Sequence, residues 1–141
     1  GVLVIGPIVL DECGDEIEAA LRNLAANSES VIIFDDADIS AERYLELLGE
    51  HQLGEGETEA IAIANDQNWC LCSDDRKARD VGAALLGPDR MIGSLRLVQW
   101  CVEEELWQCA AAYDSFLEMR TQGAFLPDIP REFFCEAVQG C

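Results

Sequence analysis

Short apolar runs alternate with stretches of helical period along almost the whole chain, and this alternation constrains the fold more than any other feature. Val2 to Leu10, interrupted at Gly6-Pro7, reads as a short strand and a turn into a helix, and Val31 to Phe34, Trp69 to Cys72 and Met91-Ile92 read as strands because they are β-branched or apolar and end at turn residues. Between them, apolar residues recur at helical spacing. From Asp11 to Ala26, residues Ile17, Ala20, Leu21 and Leu24 fall on one helical face, and acidic residues gather in the first turns. Ser40 caps a second helix whose Tyr44, Leu45, Leu47 and Leu48 are expected to pack inward. After the loop Gly49 to Gly56, helices follow at Glu57 to Ala64, Arg76 to Leu86, Ser94 to Leu106, Ala110 to Thr121 and Pro130 to Val138. Strands separated by helices predict an α/β fold, a parallel sheet flanked by helices on both faces.

A chain of 141 residues, half of them hydrophobic, fills one core, so a single domain over 1–141 is expected. No apolar run is long enough to span a bilayer, and no basic segment introduces Gly1 to Leu10 as a signal peptide would require; a cytoplasmic protein is expected. Seven cysteines without a regular framework point to a reducing compartment, with Cys70 and Cys72 on one face of a strand and facing the core. One histidine and no CxxC pair argue against a zinc site. The net charge of −19 opposes simple attraction to phosphates and suits either solubility or a basic partner.

Two segments could carry chemistry. Gly54-Glu55-Gly56-Glu57-Thr58-Glu59 leads carboxylates into the first turn of a helix, and Ser73-Asp74-Asp75-Arg76 stands where a strand hands over to a helix, the edge at which α/β folds collect ligands. Each also reads as ordinary helix capping. Brought together, they would offer an all-oxygen site for Mg²⁺ or Mn²⁺, which can polarise a phosphate without help from His or Ser. Asp35-Asp36 after an apolar strand also opens phosphoacceptor receiver domains, but the later aspartate and lysine of that pattern lack their context. No phosphate-binding glycine loop or nucleophile elbow is present.

In order, Pro7 to Glu12, Leu53 to Ala64, Ser73 to Arg79, Ile92 to Leu95 and the stretch Leu117 to Phe134 with Gly123-Ala-Phe-Leu resemble a branch of PIN-like domains. It is a prokaryotic branch long filed as of unknown function and related to toxins of the virulence-associated-protein C type. The resemblance implies a three-layer PIN-like sandwich and a cluster of three or four carboxylates holding Mg²⁺ or Mn²⁺. It also implies endoribonuclease activity on an RNA substrate, an antitoxin protein as partner and a possible homodimer. Glu12 matches the family's helix glutamate. Glu57 and Glu59 offer the next acid, Glu57 lying nearer the loop, and Asp74 and Asp75 the last. Asp75 is favoured because it stands two places after Ser73, which matches the family's small hydroxyl residue, and Arg76 follows on the substrate side. The expected catalytic set is thus Glu12, Glu57 and Asp75. The family's first strand and its acid should precede Gly1, so the chain is expected to be truncated at its start. A catalytically inactive PIN-like interaction module is the alternative.

Overall fold

A computed structural model describes residues 1–135, which fall into two compact units: Gly1–Leu71 with Arg76–Met91, and Cys72–Asp75 with the segment from Ile92 onward.

The first unit opens with β1 (Leu3–Ile5), which pairs in parallel with β2 (Val31–Ile33) in the register Leu3 to Val31, Val4 to Ile32 and Ile5 to Ile33. The short opening strand ends just before the Gly6-Pro7 interruption read from the sequence. Helix α1 (Pro7–Glu12) begins at Pro7, which supplies a preset φ at a position where a missing N–H costs nothing. The expected helix from Asp11 is therefore two helices, since the chain turns at Cys13-Gly14 before α2 (Asp15–Asn27). No residue of α2 is buried, and Ile17, expected to face a core, is 55% exposed. Nor is β2 a buried strand, for Ile32 is exposed.

Helix α3 (Ala41–His51) is capped by Ser40, whose hydroxyl accepts the Arg43 N–H at 3.3 Å. Leu47 is buried but Leu45 is 65% exposed. At 3.6 residues per turn the two lie roughly 200° apart, so one face cannot hold both. Helix α4 (Glu55–Asp66) is the axis of this unit; Ile61, Ala62, Ile63 and Ala64 are all buried, as an Ala- and Ile-rich helix without a polar face must be. It packs against α1, α3 and α5 (Arg76–Leu86), whose bounds are those read from the sequence. Leu47, Leu53, Ile61, Leu71, Ala78 and Leu86 belong to the surrounding core. Arg90 donates to the carbonyls of Ala64 and Trp69, satisfying acceptors left over where α4 ends.

β3 (Leu71–Cys72) and β4 (Met91–Ile92) form the other two-stranded pair, so among the described residues the strands make two small sheets where one continuous parallel sheet was expected. Cys70 and Cys72 are exposed, contrary to expectation. Leu71 takes the buried side, and its sequence neighbours point away from it in extended chain.

The second unit holds α6 (Ser94–Glu103), α7 (Cys109–Thr121) and α8 (Glu132–Cys135). Its core is Val98, Val102, Ala112, Phe116 and Phe134. α6 stops three residues before Leu106, where Glu105 takes φ +57° and the N–H groups of Leu106 and Trp107 turn back to the Cys101 carbonyl. Of the last expected helix, 132–135 is helical, and 136–138 lies outside the described residues. Cys109 and Cys135 are joined by a disulfide, whereas the cysteine pattern was read as pointing to a reducing compartment more than to a disulfide scaffold. No helix among the described residues is long and apolar enough to cross a membrane.

Candidate carboxylate site

The chemistry-bearing residues of the first unit meet where α1 packs on α4. Glu59, one turn into α4, is 1% exposed. Its carboxylate accepts the Ile8 N–H (3.0 Å to Oε2, 3.1 Å to Oε1) and the Val9 N–H (3.1 Å), amides that a helix start leaves without intrahelical partners. Glu12, the last residue of α1, returns the contact: its Oε1 accepts the Gly56 N–H in the first turn of α4 at 3.3 Å. Position 8 thus meets 59 while 12 meets 56, and each helix places a glutamate on the other's free amides.

Two glycines make this approach possible. A Cβ at Gly6 would collide with the Glu59 carboxylate, and one at Gly56 with that of Glu12. Both carboxyl groups therefore fill space that any other residue would occupy.

Burial pushes the Glu59 carboxyl above the usual carboxylate range. The Ile8 and Val9 amides pull it back, and the negative charges of Glu12 and Asp36 push it up again. Burial also raises the Tyr44 phenol, with further pushes from Glu55, Glu59 and Glu12. Asp36, Tyr44 and Glu55 thus share the electrostatic neighbourhood of Glu59 and Glu12. None was singled out from the sequence as part of this group. The signals present were Gly6-Pro7, which marks a helix start able to receive an acid, and the glycines flanking Glu55.

Other expected site residues are engaged locally. Glu57 accepts the Gly54 N–H at 2.9 Å, the capping role left open by the sequence. In the second unit, Asp74 accepts the Ser94 N–H at 3.0 Å at the start of α6. The Ser73 hydroxyl accepts the Asp75 N–H at 3.2 Å, closing a tight turn. Ser94 itself does not cap α6; Gly93 is the N-cap residue. Arg76 opens α5 and is exposed. Asp35 accepts the Ala37 N–H at 2.9 Å and so caps a short 3-10 turn at Asp36–Asp38.

The structure therefore brings Glu12 and Glu59 together and places Glu57 on a cap. Ser73, Asp74 and Asp75 form their own turn in the second unit. Among the described residues, no group of three or more His, Cys, Asp or Glu side chains is arranged to hold a metal ion. The donor set thus fits a metal in part: Glu12 and Glu59 supply hard oxygens, but the third ligand such an ion needs is not assembled with them.

A sequence model of the PIN domain matches residues 1–137, nearly the whole chain and every element described above. The chain belongs to the PIN-domain family. Membership sets aside the receiver-domain reading of Asp35-Asp36, agrees with the α/β architecture of short strands among eight helices in the described residues, and points to a nuclease-type function. No curated protein and no solved structure matches the chain.

Proposed function

We propose that this PIN-domain protein is a cytoplasmic, Mg²⁺- or Mn²⁺-dependent endoribonuclease, the toxin of a toxin-antitoxin pair. The observation that carries the reading is the pair Glu12 and Glu59, drawn from segments 47 residues apart in sequence (59 − 12) and held side by side although their charges repel. Like charges brought together at a cost to the fold are a feature of functional sites.

Asp75 is the acid of the second unit to which we assign a role in cleavage, with Asp74 bracing the turn that presents it. A bound Mg²⁺ or Mn²⁺ would offset the mutual repulsion and polarise a phosphodiester. The chain's own part is to orient these carboxylates through the amides of Ile8, Val9 and Gly56 and to exclude water from Glu59. A net charge of −19 favours a basic antitoxin as the protein partner and makes local cation binding a condition for approaching RNA.

One observation favours the alternative, an inactive interaction module: the oxygens of Glu12, Glu57, Glu59 and Asp74 all accept backbone N–H groups, so all four have structural work. The two readings separate in one experiment on the full-length protein. The ribonuclease cuts RNA with Mn²⁺, Asp75→Asn abolishes cutting with the fold intact, and millimolar Mn²⁺ raises the melting temperature. Cleavage unchanged in Asp75→Asn overturns the residue assignment. No cleavage with any divalent ion, and no thermal shift, leaves the interaction module as the reading.

A further inference from the structure

We infer that Cys109 and Cys135 form a reversible thiol–disulfide latch that fixes α8 onto the second unit. The two stand at the first residue of α7 and the last described residue of α8, with Cα atoms 5.1 Å apart, inside the range a disulfide spans without moving the backbone. Four residues of α8 are described. Its attachment rests on neighbours. Phe134 is fully buried, its ring 6.0 Å from that of Phe116, and the Gln99 side chain donates to the Phe133 carbonyl at 3.3 Å. Cys135 follows directly after the one buried side chain of α8, so the bond to Cys109 closes over that anchor.

The switch reading follows from where the bond lies. It spans 26 residues, closing the loop that contains α7 and the irregular segment leading to α8. Cutting it removes the covalent tie between α7 and α8 while leaving the α6–α7 packing around Val98, Val102 and Ala112 in place. One small element is released from a unit that keeps most of its core. The chemistry is disulfide exchange with a low-molecular-weight disulfide such as oxidised glutathione. The thiolate of one cysteine attacks it, forms a mixed disulfide and expels one thiol. The second cysteine then displaces the other thiol, so that two protein thiols are oxidised and one small disulfide is reduced to two thiols.

The test equilibrates the full-length protein in reduced and oxidised glutathione mixtures, blocks the remaining thiols, and maps the peptides by mass spectrometry. Hydrogen exchange is followed across 130–135 in each state. A Cys109–Cys135 link should form, slow exchange in that segment several-fold, and raise the melting temperature by about 5–10 °C. Cys70→Ser should leave this response unchanged, and the double variant Cys109→Ser, Cys135→Ser should abolish it. Should the double variant not fold, the two redox states of the unaltered protein still give the comparison. Cys135 joined to any other cysteine, no link at any glutathione ratio, or equal exchange in both states overturns the latch.

Discussion

Helix α1, six residues and too short to persist alone, and the described part of α8 are each held against larger helices, one in each unit. The first unit answers with charge. Glu59 takes the amides of Ile8 and Val9, and Glu12 takes that of Gly56, so α1 is held by hydrogen bonds to ionisable groups. The second answers with apolar surface and a covalent bond, through Phe134 against Phe116 and Cys109 to Cys135. One attachment answers to protons, the other to electrons. A carboxylate clasp leaves acids concentrated in a partly apolar setting, as hydrolytic chemistry requires, and a ring-and-disulfide clasp does not.

The largest effect should come from breaking the apolar attachment. Phe116 is fully buried and touches both Tyr113 and Phe134, their ring centroids 5.8 Å and 6.0 Å away. Phe116→Ala should cost about 3–5 kcal/mol, measured by denaturant unfolding. A loss below roughly 1 kcal/mol would mean that the disulfide alone holds the second unit together.

Breaking the carboxylate attachment should cost somewhat less. Glu59→Ala strands the Ile8 and Val9 amides in a buried place, for a loss on the order of 2–4 kcal/mol. Gly6→Ala attacks the same contact from the other side by placing a methyl where the carboxylate sits, and should cost about 1–3 kcal/mol. Combined, the two changes should cost clearly less than their sum, since both remove one contact. Full additivity would show that the clasp is not a unit.

The clasp should also report pH where the latch does not. Burial raises the Glu59 pKa, so between its unfolded value near 4.5 and its higher folded value the native state binds the extra proton. Its contribution to stability is present below that window and is lost as pH rises through it. Glu59→Gln fixes the neutral form and should remove this loss. The stability of Glu59→Gln relative to the unaltered protein should therefore improve as pH rises from 4.5 through the raised folded value. A constant difference would show that Glu59 titrates alike in both states.

Much of the architecture was legible from local signals. Arg76 to Leu86 and Met91-Ile92 were read at their observed bounds because Gly87-Pro88 punctuates them. The misreadings share one cause. Periodicity says which residues lie on one face, and tertiary packing decides whether that face is covered. Ile17 and Leu24 keep helical spacing but stay exposed, and Cys70 lies outside the two-residue strand meant to orient it. Acids at the helix start were visible, but the choice between Glu57 and Glu59 depends on depth. Position 57 faces its own Gly54 amide, while position 59 faces α1, and only the packing of α1 makes that difference. The Cys109–Cys135 link was hidden because pairing depends on where α8 docks.

The smallest effect expected is at Asp74, and it separates structure from chemistry in the second unit. Its carboxylate accepts the Ser94 N–H at 3.0 Å, a capping task that an asparagine oxygen performs nearly as well. Asp74→Asn should therefore change stability by no more than about 0.5 kcal/mol. If Asp74 only braces the turn, Mn²⁺-dependent cleavage of RNA should fall a few-fold at most, because the neighbouring Asp75 keeps its hydrogen bond to the Ser73 hydroxyl. Abolished cleavage with unchanged stability would move the acid required for cleavage from Asp75 to Asp74. A stability loss well above 1 kcal/mol would show instead that the negative charge matters at the α6 terminus, where it meets the positive end of the helix dipole. In that case the second unit, like the first, depends on a carboxylate at a helix start, and the contrast between the units narrows to α1 and α8 alone.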